Sequence, residues 1–459
     1  MARAQIPVTL TIDSRIPSHV HVIPADFSGL SFGAVTELPG HGRVSGYLFC
    51  ATNIQLITLF KNSGLHHLRL GGSTVDGTNI AFPNHVAIDN VFAFAKGAGV
   101  KVIYSLRLLN GNSMTDADTA QYIWEHYRPL LDYFAIGNEP DIRRYHYPPF
   151  GTGTDPSITN YTSYLTDWRK FAATIIGSVP DAKFAAPDAA GKYWAQLFAK
   201  DEKNSGIIAL ITQHYYVGGK RDNTTATQAI DNMLSADWVT ARYSSLYKNT
   251  LASIVSDGLP YRLTESDDYL KGIANASDSF ASALWALDYM HWWAAHGCDG
   301  VNFHNTEWLK TDTIYLDSSG NYRINPKAYG IKAFDLGGHG YVESVTIANK
   351  KALNLTAYAV RDAANLYVTI INKEHGNGAR DAIATIIPNS FLFGNAAAMF
   401  LTAPNGDVAA TNGIMLGSAS IANNVRWHGQ WTPLDSATNG QCLVAVPSAS
   451  AAVVKISAR

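Results

Sequence analysis

The sequence is short of cysteine, of net charge and of long apolar runs, and each shortage removes a class of protein. Three cysteines, Cys50, Cys298 and Cys442, stand among 459 residues. An odd number leaves no complete set of bridges. They read as buried thiols, with a single disulfide as the alternative. The 35 Lys and Arg against 37 Asp and Glu leave a formal net charge of −2. No basic surplus is available to hold nucleic acid or an anionic membrane, so neither is expected as a partner. No run of 18 apolar residues occurs, so no membrane-spanning helix is expected. The N-terminal Met1-Ala-Arg-Ala-Gln-Ile-Pro7 lacks the apolar segment of a signal peptide. Asn-x-Ser/Thr triplets begin at Asn160, Asn223, Asn275 and Asn354. The reading is a secreted or periplasmic protein whose leader has been removed, with a cytoplasmic one as the alternative. Also missing are a sequence repeat of 20–50 residues and a low-complexity tract.

What is present is the composition of a folded chain, 47% hydrophobic and 16% charged. Its length exceeds one ordinary core, so a large domain and a smaller one are expected. Residues 7–13 alternate apolar and polar, as a half-buried strand does. Eight apolar, β-branched runs follow: 27–33, 65–72, 100–108, 133–139, 184–189, 209–216, 261–267 and 300–305. Amphipathic stretches lie between them, such as 116–127, 162–176 and 277–296, the first opening with Asp116 and Asp118 as capping residues. Eight such units predict a closed parallel (β/α)8 TIM barrel. The rival, an open doubly wound sheet, usually carries a glycine-rich loop after its first strand, and none is visible. Around Gly337-Gly338-His339-Gly340 the pattern changes to short alternating segments punctuated by Gly, Asn and Pro. The expected division is an N-terminal strand in residues 1–20 that joins a β domain, a catalytic barrel over 21–336, and a β-sandwich over 337–459.

Reactive groups of such a barrel collect at the C-terminal ends of its strands. Two of the eight ends carry a glutamate, Glu139 on the fourth and Glu265 on the seventh. Two carboxylates hydrolyse a glycoside when one stays protonated for the leaving oxygen and the other stays ionised for the anomeric carbon. The 10 Trp and 23 Tyr suit sugar stacking as well as a large core. Tyr215 or Tyr216 is a candidate to hold the nucleophile ionised. His214 is read as a sugar-orienting group, Arg69 as the partner of the nucleophile, and Asp188 as a sugar contact. Asp267 and Asp268 are read as solvated loop residues, and Trp292 and Trp293 as core. Tyr145 and Tyr147 are candidates to line a sugar site. His66-His67 and His19-x-His21 lack completing ligands, so no metal is expected, and no cofactor. An isomerase or aldolase would want a phosphate-gripping loop or a Schiff-base lysine at a strand end, and neither is apparent.

The segment Ile136-Gly-Asn138-Glu139-Pro140-Asp141 resembles the acid/base signature of the clan A glycoside hydrolases. Further segments extend the likeness to glycoside hydrolase family 79, which contains microbial β-glucuronidases and heparanase. They are Ile23-Pro-Ala-Asp-Phe-Ser-Gly-Leu-Ser31, Leu68-Arg-Leu-Gly-Gly-Ser-Thr74, Ala186-Pro-Asp188, His214-Tyr-Tyr216, Arg262-Leu-Thr-Glu265, Val301-Asn-Phe-His304 and Leu355-Thr-Ala-Tyr-Ala-Val360. The resemblance implies Glu139 as acid/base, Glu265 as nucleophile and Asn138 as the residue that bonds the sugar 2-hydroxyl. It implies a retaining, exo-acting β-glucuronidase, or one acting on 4-O-substituted glucuronate, with glycan side chains as substrate. Tyr269 matches a tyrosine that holds the substrate carboxylate. Where the family carries a glycine-rich stretch with a second tyrosine, this chain has Asn305-Thr-Glu307-Trp308-Leu309-Lys310, so Trp308 replaces the tyrosine and Glu307 adds a negative charge. A β-glycosidase for a neutral sugar and a non-catalytic carbohydrate-binding relative are the alternatives. An endo-acting heparanase-like enzyme would want a more basic chain.

Overall fold

The period-two pattern at the N-terminus forms strand β1 (Gln5–Asp13), which buries Val8, Leu10 and Ile12. A short β2 (Val22–Ile23) follows. The computed structural model describes residues 3–13, 21–41, 44–142, 157–191, 193–220, 223–306, 309–389, 393–435 and 440–458, without the side chains of 157–160 and 393.

The eight apolar runs then form β3 (Ser28–Gly33), β4 (His67–Gly71), β5 (Lys101–Leu106), β6 (Leu131–Ile136), β7 (Phe184–Ala189), β8 (Ile208–Tyr216), β9 (Tyr261–Asp267) and β10 (Cys298–His304). They close a parallel barrel in the order β10-β3-β4-β5-β6-β7-β8-β9. Its strands are apolar throughout because interior packing covers one face and helices cover the other. The helix Ser113–Tyr127 corrects the expected start. Asn112 caps it, its side-chain oxygen accepting from the Met114 and Thr115 amides, and Asp116 lies in the first turn, buried. Between β8 and β9, residues 238–256 mix α turns with wider π turns. The helix Phe280–Ala295 is buried on nearly every face, Trp292 and Trp293 included, because the barrel packs on one side and the second domain on the other.

A small hairpin of β11 (Ile314–Leu316) and β12 (Tyr322–Ile324) leads to the helix Lys327–Gly337. The second domain follows: β13 (Gly340–Ala348), β14 (Leu355–Arg361), β15 (Asn365–Asn372), β16 (Asp381–Asn389) and β17 (Phe393–Thr402), then β18 (Met415–Leu416), β19 (Thr432–Leu434), β20 (Cys442–Val446) and β21 (Ser450–Ala458). They form one continuous sheet rather than two separate ones, in the order β18-β17-β21-β15-β14-β13-β1-β16-β20, with β19 on β17 and β2 on β13. The sheet curls until strands from its two ends share one core, where Ala398 of β17 joins the same cluster as Val444 of β20. Strand β1 lies inside this sheet, parallel to β16 and antiparallel to β13. Asp288 fastens the domains together. It accepts from Thr356 and Tyr358 hydroxyls at 2.7 Å each and from the Lys373 ammonium at 2.9 Å. The three cysteine thiols are free, Cys298 and Cys442 buried and Cys50 half-buried. No helix among the described residues is long and apolar enough to cross a membrane.

Candidate active site

The C-terminal ends of seven barrel strands, all but β5, bring polar residues to one place. Arg69, on β4, lies at its centre with no exposed surface. Its guanidinium donates to Glu265 Oε2 at 3.0 Å, to Asp188 Oδ2 at 2.8 and 3.3 Å, to Asn138 Oδ1 at 2.7 Å and to Ser31 Oγ at 2.9 Å. Gly71 makes room for it, since a Cβ there would fall 2.7 Å from the Arg69 Cζ. One fixed cation thus ties strands β3, β4, β7 and β9 to the loop after β6.

That loop is bent sharply. Gly137 has φ +80° and Glu139 φ +44°. A side chain at Gly137 would be strained and would meet Leu108. Asp76 braces the bend, accepting from the Asn138 amide at 3.1 Å and from the Leu108 and Leu109 amides at 2.9 Å each. The Glu139 amide donates to the Asp188 carbonyl at 2.8 Å. These bonds aim the Glu139 carboxylate at His214, whose Nδ1 donates to its Oε1 at 3.0 Å.

Glu265, at the end of β9, faces that pair. A carboxylate oxygen of Glu139, one of Glu265 and a ring nitrogen of His214 all lie within 4.8 Å of one another. Burial alone would raise the Glu265 pKa. The charges of His304, His214 and Arg69 and a 2.7 Å bond from the Tyr216 hydroxyl overcome it and hold the carboxyl at about 2. Burial likewise opposes the His214 cation, but Glu265, Asp188 and Glu139 around it lift its pKa to about 9. Asp188 is buried, accepts from Thr264 at 2.6 Å and from Arg69, and is held well below the usual carboxylate range despite burial. The Asn138 side-chain nitrogen is buried without a partner among the described residues, a free donor beside both carboxylates.

Strand periodicity sorts the remaining candidates. On β8 His214 and Tyr216 share the inner face, and Tyr215 is turned outward, its ring 6.2 Å from Trp293. Tyr215 therefore does not bond the nucleophile; Tyr216 does. Tyr269 is a second correction. Its ring is buried against Trp238 and beneath Gly218, and its hydroxyl accepts from Asn232 at 2.9 Å. Asp188 serves the protein frame through Arg69 and Thr264. Asp267 and Asp268 are buried rather than solvated: Asp267 pairs with Lys327, and Asp268 accepts from Ser277. Glu307, Trp308, Tyr145, Tyr147 and His19 lie outside the described residues. His304, 3.7 Å from Glu265, is the residue that strand-end reading passed over, although it ends the eighth strand.

Among the described residues two groups have the spacing of metal ligands, Glu139-His214-Glu265 here and Asp26-His67-Asp132 at the opposite end of the barrel. In the first, His214, its pKa lifted to about 9 by the carboxylates around it, carries a proton on each nitrogen, with Nδ1 donating to Glu139, and Arg69 already neutralises Glu265. In the second, His67 Nδ1 accepts from Asn302 at 2.9 Å, so its Nε2 carries the proton that Asp132 receives. Neither arrangement offers a free imidazole lone pair.

No family model matches the chain. A β-glucuronidase of Aspergillus niger is 26% identical over 203 residues, 40% of this chain and 37% of that protein. The chain thus matches little more than a third of that relative's length. Among solved structures, a 4-O-α-L-rhamnosyl-β-D-glucuronidase from Fusarium oxysporum superposes with a TM-score of 0.72, covering 97% of this chain and 99% of that one at 17% identity. A family 51 α-L-arabinofuranosidase from Bifidobacterium longum gives 0.68 over 97% and 99% at 14% identity. In sequence and fold together, the chain resembles the β-glucuronidases of glycoside hydrolase family 79, built on the barrel of clan A.

Proposed function

We propose that the protein is a retaining, exo-acting glycoside hydrolase that releases β-linked glucuronate, or a 4-O-substituted glucuronate, from glycan side chains. The observation that carries this reading is the pairing of Glu139 and Glu265, carboxylate oxygens within 4.8 Å, with Glu265 kept ionised. So short a spacing supports the retaining arrangement, whose carboxyl groups stand roughly 5–5.5 Å apart, over an inverting one at roughly 6.5–9.5 Å.

Glu265 attacks the anomeric carbon as the bond to the leaving oxygen breaks, and Glu139 gives that oxygen its proton. A glycosyl–Glu265 ester results. Water then attacks the same carbon, Glu139 takes the water's proton, and the ester bond releases Glu265. The imidazolium of His214 shares its Nδ1 proton with Glu139. Asn138, its oxygen held by Arg69, offers its nitrogen to the sugar 2-hydroxyl. Arg69 and Tyr216 keep the nucleophile charged and oriented.

A neutral sugar is the second reading. It is favoured by Tyr269, whose hydroxyl is committed to Asn232, and by the loss of glycines after β10. A panel of 4-nitrophenyl β-D-glucuronide, glucoside, galactoside and xyloside separates the two. Preference for the glucuronide supports the first reading, and preference for any other member supports the second. Glu265→Gln should abolish turnover of every member; full activity in that variant would remove Glu265 from the mechanism.

A further inference from the structure

The chain between β17 and β19, apart from β18, leaves the curled sheet and crosses the outside of the barrel, where hydrogen bonds pin it to three helices. The Phe280 and Ala281 amides, which open the helix Phe280–Ala295, donate to the Ala410 and Val408 carbonyls at 2.8 Å each. Tyr329, in the helix Lys327–Gly337, accepts at its hydroxyl from the Ile421 amide at 3.0 Å. Asn62, the last residue of the helix Ile54–Asn62, donates to the Ala422 and Val425 carbonyls at 2.8 and 2.7 Å. Between this strap and the β11–β12 hairpin lies a cavity of about 380 Å³. Tyr315, Tyr322 and Tyr329 give it aromatic walls, and Asn412, Asn423 and Asn424 line its strap side. The Asn412 and Asn424 side chains and the Tyr315 hydroxyl have no partner among the described residues. Asn423 commits its side-chain nitrogen to Gln55 and to the Tyr322 carbonyl at 2.9 Å each, and its oxygen accepts from no described residue. Among the described residues Arg323 is the one charged group on the wall, and Asp317 neutralises it at 2.9 Å.

We propose that this cavity is a second saccharide site, which holds a neutral sugar unit of a glycan without cutting it. A pyranose presents apolar C–H faces and a rim of hydroxyls that both donate and accept. Tyrosine rings suit the faces. Side-chain amides suit the rim, because each offers donors and an acceptor. An ionic ligand finds no free counter-charge here, and no described carboxylate lines the wall to attack a glycosidic bond. The volume lies within the roughly 300–1,000 Å³ of small-molecule sites. Both domains hold the walls in place before a ligand arrives, which reduces the ordering that binding demands. Asn305, just beyond β10, exchanges two 2.9 Å bonds with the Ile314 backbone and so ties the hairpin to the catalytic end of the barrel. The proposal goes beyond the glycosidase reading: a glycan anchored on this flank raises the local concentration of its branches at Glu139 and Glu265.

The test is an NMR titration of the full chain with methyl β-D-glucoside, methyl β-D-galactoside, methyl β-D-xyloside and cellobiose, and with methyl β-D-glucuronide as the charged control. Two variants accompany the wild type, Tyr315→Ala and the pair Asn412→Ala with Asn424→Ala. At least one neutral probe is expected to bind the wild type and to lose affinity about fivefold or more in both variants, while kcat/KM for the best 4-nitrophenyl glycoside stays within about twofold. Asn412 and Asn424 are exposed, so that variant keeps the fold even if Tyr315→Ala loosens the hairpin. If no neutral probe depends on these residues, or if the glucuronide loses affinity in the same way, the proposal is overturned. A parallel fall in kcat/KM places the cavity in the catalytic cleft and overturns it too. If the neutral probe behaves as expected but the wild type hydrolyses no glycoside, the second site stands and the glycosidase reading falls.

Discussion

At the scale of single residues, Tyr216 shows how much one hydroxyl does in a closed site. Glu265 is buried, and burial alone would protonate it. The Tyr216 bond at 2.7 Å is one of the few interactions that reverse this. Tyr216→Phe keeps the ring and removes the donor. The acid limb of the pH profile of kcat/KM should then move to higher pH, and kcat/KM should fall by about 1.5–3 kcal/mol of transition-state stabilisation. An unmoved acid limb would mean that Arg69 and His304 suffice. That Glu139 and Glu265 would meet was legible in the sequence, because strand ends of a parallel barrel converge. The choice between Tyr215 and Tyr216 was legible in principle too: period two places Tyr216 on the face of His214. Tyr269 was not. Its position after the nucleophile suits a substrate contact, but only the packing of Trp238, Asn232 and Gly218 reveals that the ring is turned away.

At the scale of elements, the helix Ser113–Tyr127 and strand β5 press three acids together beneath the Glu139 loop. Glu37, bonded by the Tyr104 hydroxyl at 2.5 Å, is raised by burial to about 8. Asp116 is raised by burial to about 8, with the nearby Asp76 charge adding to it. Both bind protons more tightly in the folded chain than in the unfolded one. Their contribution to stability is fully present below about pH 4 and is lost as pH rises through about 8. The unfolding free energy from denaturant titration should therefore decline between pH 5 and 8 by several kcal/mol. Glu37→Gln should flatten the decline; an equally steep curve would locate its cause elsewhere. The helix itself was legible from its periodicity. Its start was misread because Asp116 looks like a capping residue, while the cap is Asn112, a turn earlier, and Asp116 is drawn inward by the fold.

At the scale of the whole molecule, the barrel and the curled sheet are joined through Asp288, whose negative charge is buried with Lys373. Lys373→Met would leave that charge without its counter-ion, at a cost of about 3–5 kcal/mol. Unfolding followed by calorimetry should show the transition lowered, and an unchanged transition would mean that Thr356 and Tyr358 satisfy Asp288 alone. The two-domain plan and the kinship of the N-terminal strand with the second domain were readable from hydrophobic periods and a change in turn composition. The curling of one sheet into a closed core was not, because pairing between distant strands leaves no local mark.

Strand β1 has an inside place in that sheet, between β13 and β16. Its neighbours are encoded more than three hundred residues downstream. At the roughly 5–20 residues per second of synthesis, Val8, Leu10 and Ile12 wait on the order of tens of seconds for partners while the barrel is completed behind them. Strand β1 is made long before its partners and is thus among the last to be covered. During that interval the nascent protein carries an unpaired apolar ribbon, the kind of segment that chaperones capture and that neighbouring chains on one messenger can mistake for their own.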